Sequence, residues 1–173
     1  MAKKTSKAAK PLVGAPALQP GENGAGADMQ DAPSMHVIAQ YLKDFSFENP
    51  NAPQSLQEPD ESPQIDVAVN VNAKTLSDTE YEVELQLDAK AGEGDGVIFA
   101  AELHYAGIFK LENIPEDSLH PVILIECPRL LFPFARQMLA DATRNGGFPP
   151  LLLDPIDFAA LYQQRMTEEG GNA

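Results

Sequence analysis

Between residues 64 and 109, apolar and polar side chains alternate with a period of two, as expected of strands with one buried face. In QIDVAVNVNA (64–73), Ile65, Val67, Val69 and Val71 fall on one side, with Asp66, Asn70 and Asn72 on the other. In EYEVELQLDA (80–89), Tyr81, Val83, Leu85 and Leu87 oppose Glu80, Glu82, Glu84, Gln86 and Asp88. The pattern resumes at 97–109, with Val97, Phe99, Ala101, Leu103 and Tyr105 inward and Ala100, Glu102 and His104 outward. Lys74–Thr79 and the glycine-rich Gly92–Gly96 are short enough to be turns, so these three strands form an antiparallel meander. A fourth strand is predicted upstream, at 36–48. There Val37, Ala39, Tyr41, Phe45 and Phe47 alternate with Gln40, Asp44, Ser46 and Glu48. Ile38 and Leu42 blur that alternation, and Lys43 interrupts the apolar side.

The period changes after residue 127. Leu131, Phe134, Met138 and Ala142 recur at spacings of three and four and share a helical face, with Leu130 and Leu139 as spare apolar residues beside it. Pro133 lacks the amide proton of the helical ladder and predicts a kink or fresh start, and Gly146-Gly147 predicts the stop. Phe148-Pro149-Pro150-Leu151-Leu152-Leu153 is an extended apolar connector. Asp154 is placed to cap a second helix, with Pro155 at its first position and Ile156, Phe158, Ala159, Leu161 and Tyr162 within it. The prediction is an α+β fold: a four-stranded antiparallel sheet with one long helix and a shorter C-terminal helix packed on one face. Residues 49–63, with four prolines and Leu56 as their one large apolar residue, make a stiff extended crossover too long for a hairpin.

Composition sets the boundaries. Residues 1–33 are rich in Ala, Gly, Lys and Pro, lack periodicity and are predicted to be disordered. The folded domain is assigned to 34–166, and residues 167–173 to a flexible polar tail. The chain has 173 residues and a formal net charge of −14. Lys3, Lys4, Lys7 and Lys10 precede every acid, so residues 11–173 hold 8 basic against 26 acidic residues. That field repels nucleic acid and anionic lipid; it confers solubility and equally suits a basic partner. The acids are not scattered. Asp44, Glu48, Asp66, Glu80, Glu82, Glu84, Asp88 and Glu102 all fall on the outward side of the strands. Like charges crowded on one sheet face repel, which favours a cationic partner over solvation alone.

Candidate chemistry is sparse. Cys127 is the sole cysteine and sits in an apolar run beside Pro128, the setting of an inert buried thiol. With no disulfide, Pro11 and Pro16 interrupting any signal-peptide core and no apolar run long enough to span a bilayer, a cytoplasmic location is expected. His36, His104 and His120 lack metal-site spacing, and Gly92, Gly94 and Gly96 precede a strand where a phosphate loop would precede a helix. Asp44 and Glu48 on an open sheet face have nothing to separate their pKa values, so no catalytic, metal or cofactor site is expected.

Five stretches carry a resemblance to the SecB family of bacterial protein-export chaperones: YLKDFSFENPNAP (41–53), LSDTEYEVELQL (76–87), AGIFKLENI (106–114), CPRLLFPFARQML (127–139) and GGFPPLLLDPIDFAALY (146–162). They stand in the family's order and spacing across about residues 35–166. The resemblance implies a cytosolic homotetramer, a dimer of dimers, that holds precursor proteins unfolded without ATP and passes them to the SecA translocation ATPase. It implies a client groove between the crossover and the second helix, lined by Phe47, Leu56, Phe148, Leu153, Phe158 and Tyr162. It also implies a SecA-docking face at Asp44, Glu48 and Glu102, where Ala100 stands at a position that is leucine in the family. The crossover carries Leu56 where the family often has larger aromatics, and the resemblance assigns no role to the N-terminal extension, residues 1–33. An antitoxin-associated SecB-like chaperone with a dedicated client, and an enzyme with a carboxylate site, are the competing readings.

Overall fold

The computed structural model describes residues 32–57 and 63–170, so the N-terminal extension, part of the crossover and the last three residues lie outside it. Four antiparallel strands form one sheet: β1 (Ser34–Glu48), β2 (Ile65–Thr75), β3 (Glu80–Ala91) and β4 (Phe99–Glu112), in the order β1-β4-β3-β2. The predicted meander β2-β3-β4 is present, and the crossover carries β1 to the far side of β4, leaving β1 and β2 as edges. The inward set of β3 and β4 is the core. Val83, Leu85, Leu87 and Leu103 are fully buried, with Phe109 and Phe99 beside them.

Strand β1 departs from the expected alternation, and two bulges are the reason. The register with β4 slips between Val37 and Ala39 and again between Leu42 and Asp44. Each bulge inserts one unpaired residue and reverses which side the following residues face. Ala39 and Tyr41 therefore lie on the outer face, opposite Ile108 and Ala106, where the alternation predicts them inward. Gln40 turns inward and accepts a hydrogen bond from Tyr105 Oη at 3.3 Å. The second bulge restores the phase, so Phe45 and Phe47 are inward and Asp44 and Glu48 outward, as expected.

The helical layer begins earlier than predicted. Helix α1 (Glu116–Pro121), a π-helical turn (Val122–Glu126) and helix α2 (Cys127–Asn145) make one unbroken rod. In the wide turn Cys127 N–H reaches back five residues to Val122 O. Pro121 and Pro128 flank it, and neither can donate an ordinary helical hydrogen bond. Pro133 lies within α2 without ending it.

The buried stripe of α2 is Leu131, Ala135, Leu139 and Thr143, with Phe132 and Ala140 beside it. Leu139, expected as spare, is core; Phe134, expected as core, is 52% exposed. Gly107 sets the approach of the helix: a Cβ there would sit 3.0 Å from Leu131 Cδ2, so α2 lies close on β4 at Leu131.

The helix ends as predicted. Gly147, at φ +92°, turns the chain while Phe148 N–H bonds to Thr143 O at 3.1 Å and Gly147 N–H to Arg144 O. Residues 148–157 then run back along α2. Leu151 N–H donates to Thr143 Oγ1 at 2.8 Å, and Arg136 donates to Leu153 O at 3.3 Å. Helix α3 spans Phe158–Gly170. Its cap is Asp157, whose Oδ1 accepts from Ala160 N–H at 3.0 Å, and not Asp154 as expected. Because α3 continues to Gly170, the polar segment expected as a flexible tail from Thr167 is helical over its first four residues.

Candidate functional site

The outer face of the sheet carries the predicted carboxylates, and register places them by neighbour. Asp44 lies opposite His104, Ser46 opposite Glu102 and Glu48 opposite Ala100 on the β1–β4 pair. Asp88 lies opposite Glu102, and Asp66 opposite Lys90. Glu48, Asp66, Asp88, Glu102, Ala100 and Lys90 line one shallow depression of about 500 Å³. The four predicted docking residues, Asp44, Glu48, Ala100 and Glu102, are thus gathered at one end of one face. Asp44, Glu48, Asp66 and Asp88 make no ion pair among the described residues.

The middle of the face differs, in a way the residue pattern did not reveal. Lys43, in the second bulge of β1, places Nζ 2.5 Å from Glu84 Oε2 and 3.2 Å from Glu82 Oε2. Tyr41 Oη donates to the other oxygen of Glu82. His104 brings Nδ1 to 2.9 Å from Glu84 and Nε2 to 3.1 Å from Glu102. Glu82 is held below its ordinary pKa by the Tyr41 hydrogen bond and by Lys43. Burial raises Glu84, but bonds from Lys43 and Gln86 outweigh it and the net shift is downward. Lys43 is raised in turn, chiefly by its bond to Glu84. Toward the far end, Lys74 faces Glu82, and Lys110 faces Glu80 and pairs with Glu112 at 2.8 Å. Lysines thus accompany the carboxylates over one half of the face, whereas at the other end Asp44, Glu48, Asp66 and Asp88 have no ion pair among the described residues and Glu102 meets His104.

The six predicted client residues lie along α2 in two groups. Phe47, Leu56 and Phe148 meet at its C-terminal end. Phe99 stacks between Phe47 and Phe148, with centroids 5.8 and 5.3 Å away, and Leu56 packs over Gly147. The crossover is less extended than expected there: Gln54–Leu56 form a 3-10 turn after a cis Ala52–Pro53 bond. Asn51 ties it to the β3–β4 turn through bonds to Asp95 O and Val97 O.

Phe158 and Tyr162 stand near the other end. Phe158 packs edge-on against Phe132 and is 1% exposed, so it forms the floor of the core and offers no open wall. Tyr162 pairs with His120 Nδ1 at 2.9 Å. These two border an open depression of about 520 Å³ between edge strand β2 and α3, with Val69, Val71, Leu124 and Leu161. The interval from Thr143 to Phe132 is about 16 Å of helix, at 1.5 Å per residue, and Leu153 lies between the groups. Phe99, Val69, Leu124 and Leu161 were missed as lining residues. Their inward apolar positions are indistinguishable in sequence from ordinary core.

Burial pushes the Cys127 thiol up to about 12, with the Glu126 carboxylate adding to it, consistent with an inert sulfur; Met35 Sδ lies 3.8 Å away. No helix among the described residues is long and apolar enough to cross a membrane.

Residues 28–169 match the family model described as preprotein translocase subunit SecB. A protein-export protein SecB of Methylocella silvestris is 57% identical over 150 residues, covering 87% of this chain and 93% of that one. Another, from Xanthobacter autotrophicus, is 59% identical over 149 residues, covering 86% and 95%. Among solved structures, a SecB-like chaperone of Mycobacterium tuberculosis in complex with an antitoxin peptide aligns with a TM-score of 0.59 at 16% identity, over 70% of this chain and 90% of that one, a likeness of fold. With the family model matched over most of its length and relatives at 57% and 59% identity across nearly all of their own, the chain belongs to the SecB family of protein-export chaperones.

Proposed function

We propose that this protein acts as an ATP-independent holding chaperone in protein export, keeping precursors unfolded and delivering them to SecA. The observation that carries the reading is the segregation of the surface. Unmatched carboxylates collect at one end of the outer sheet face, while exposed apolar and aromatic groups lie along the helical layer. An unfolded chain buries apolar surface against the second region at about 25 cal/mol per Å², without regard to its sequence. The aromatic cluster at Phe47, Phe99 and Phe148 and the depression beside Tyr162 suit such a client, with Leu153 joining them. Proline-stiffened walls lower the entropic cost of capture. Binding only the unfolded state delays folding with no nucleotide consumed.

The negative end of the sheet suits a cationic segment of SecA, with Asp44, Glu48 and Glu102 as its contacts and Ala100 as a small floor between them. In the cell four copies would associate as a dimer of dimers, multiplying the client sites on one particle. The test uses two variants and two ligands. Asp44→Arg with Glu48→Arg should weaken SecA binding at least about tenfold in a titration and leave capture of a denatured precursor intact. Leu56→Asp, at a residue 47% exposed, should do the reverse. Loss of both activities in either variant, or of neither, would refute the division of labour.

A further inference from the structure

The surplus of acid on this sheet would, by itself, offer a cationic partner several places to land. Glu84 and Asp88 are four residues apart on β3, about 13 Å along a strand. That backbone separation exceeds the screening length at physiological salt, about 8 Å, while His104 reaches from Glu84 to Glu102 between the two places. A face with free carboxylates at both places would hold two separate docking registers. Only one place is free. Lys43 spans from β1 across the sheet to both Glu82 and Glu84, whose side chains are 16% and 13% exposed, and it reaches them because the β1 bulge leaves it without a partner on β4. A lysine in regular alternation with Asp44 would point to the opposite face.

We propose that Lys43 is a specificity-determining residue of the docking face, which occupies the central carboxylates Glu82 and Glu84, halves their charge and so favours a cationic partner segment at Asp44, Glu48, Asp66, Asp88 and Glu102 at one end. This deepens the docking assignment made above and rests on it. Lys90 is the one cation lining the depression at that end, and it faces Asp66 across the β2–β3 pair. The central carboxylates are filled on every oxygen: Tyr41 takes the second oxygen of Glu82, Gln86 and His104 take the other oxygen of Glu84, and His104 also reaches Glu102 through Nε2.

The measurement is a comparison of affinities. SecA and an oligolysine peptide are each titrated against the full-length protein, and the ratio of the two affinities is the readout. Lys43→Met removes the charge and keeps the length of the side chain. It should tighten oligolysine and lower the ratio about fivefold, because two carboxylates become available in a second register. Lys43→Arg should retain the ratio. Adding Glu82→Gln and Glu84→Gln to Lys43→Met should restore it, since no central charge is left to attract a cation.

If Lys43→Met does not fold, Glu82→Gln with Glu84→Gln alone decides the matter. That variant frees Lys43, which stands next to Asp44 in the chain, to pair with the docking carboxylates, and should weaken both ligands. An unchanged ratio in a folded Lys43→Met, or unchanged affinities in the glutamine pair, overturns the proposal. Wild-type protein that binds neither SecA nor oligolysine overturns the docking assignment itself, a distinct outcome.

Discussion

Thr143 shows how one side chain fastens a loop segment to a helix. Its hydroxyl is fully buried, donates to the carbonyls of its own helix at 3.0 and 3.1 Å, and accepts from Leu151 N–H at 2.8 Å. The last bond fastens the extended segment 148–157 to α2. Thr143→Val keeps the volume and removes the hydroxyl, stranding the Leu151 amide. The expected cost is about 1–3 kcal/mol, measured by urea unfolding. A smaller loss would mean that the segment is held by packing alone. The residue scale also shows what was not legible. That Phe158 is core and Phe148 is not follows from which neighbour each ring meets, Phe132 in one case and Phe99 in the other. Both are phenylalanines flanking one proline-rich stretch, and nothing in their sequence context separates them.

At the scale of elements, legibility follows from whether a local rule has a competitor. Strands β2, β3 and β4 have none: their alternation, their turns and the left-handed Gly92 and Gly94 between β3 and β4 point the same way. Strand β1 carries two bulges, and a bulge is a property of a pair of strands, invisible in one strand alone. Helix α2 was legible in its end at Gly147 but not in its buried side. Large side chains dominate any count of apolar residues, whereas the buried stripe includes Ala135 and Thr143 and leaves out Phe134. Helix α3 had two candidate caps. Asp154 followed by Pro155 fits the usual pattern of a helix start, yet the chain stays extended until Asp157 and bonds there. Asp157→Ala should therefore cost about 1 kcal/mol, and Asp154→Ala should be nearly neutral, in the same unfolding assay. Hydrogen exchange of the first turn of α3 would localise the effect, and equal losses at the two positions would remove Asp157 from its role.

The whole molecule leaves apolar surface that one copy cannot cover. On β1, Val37, Ile38, Leu42 and Phe45 are exposed, and on α2 so are Leu130 and Phe134; Phe134 stacks on Tyr105, which the inward Gln40 holds from β1. This surface adjoins an unpaired sheet edge, and an exposed apolar edge invites pairing with another chain. A client channel alone does not account for it, because the clusters around Phe148 and Tyr162 involve none of these residues. Association of identical copies through β1 and α2 would cover both the edge and the helix, and would leave the acidic face of each sheet outward for docking. Leu42→Glu with Phe134→Glu puts two carboxylates into that contact while disturbing no fully buried side chain. If the proposed tetramer forms this way, light scattering should show the mass falling from four times the 18.7 kDa chain toward a smaller species, with the circular dichroism of the protomer retained. A variant that keeps the wild-type mass would place the subunit contact elsewhere, and the exposed side of β1 would then have to belong to the client.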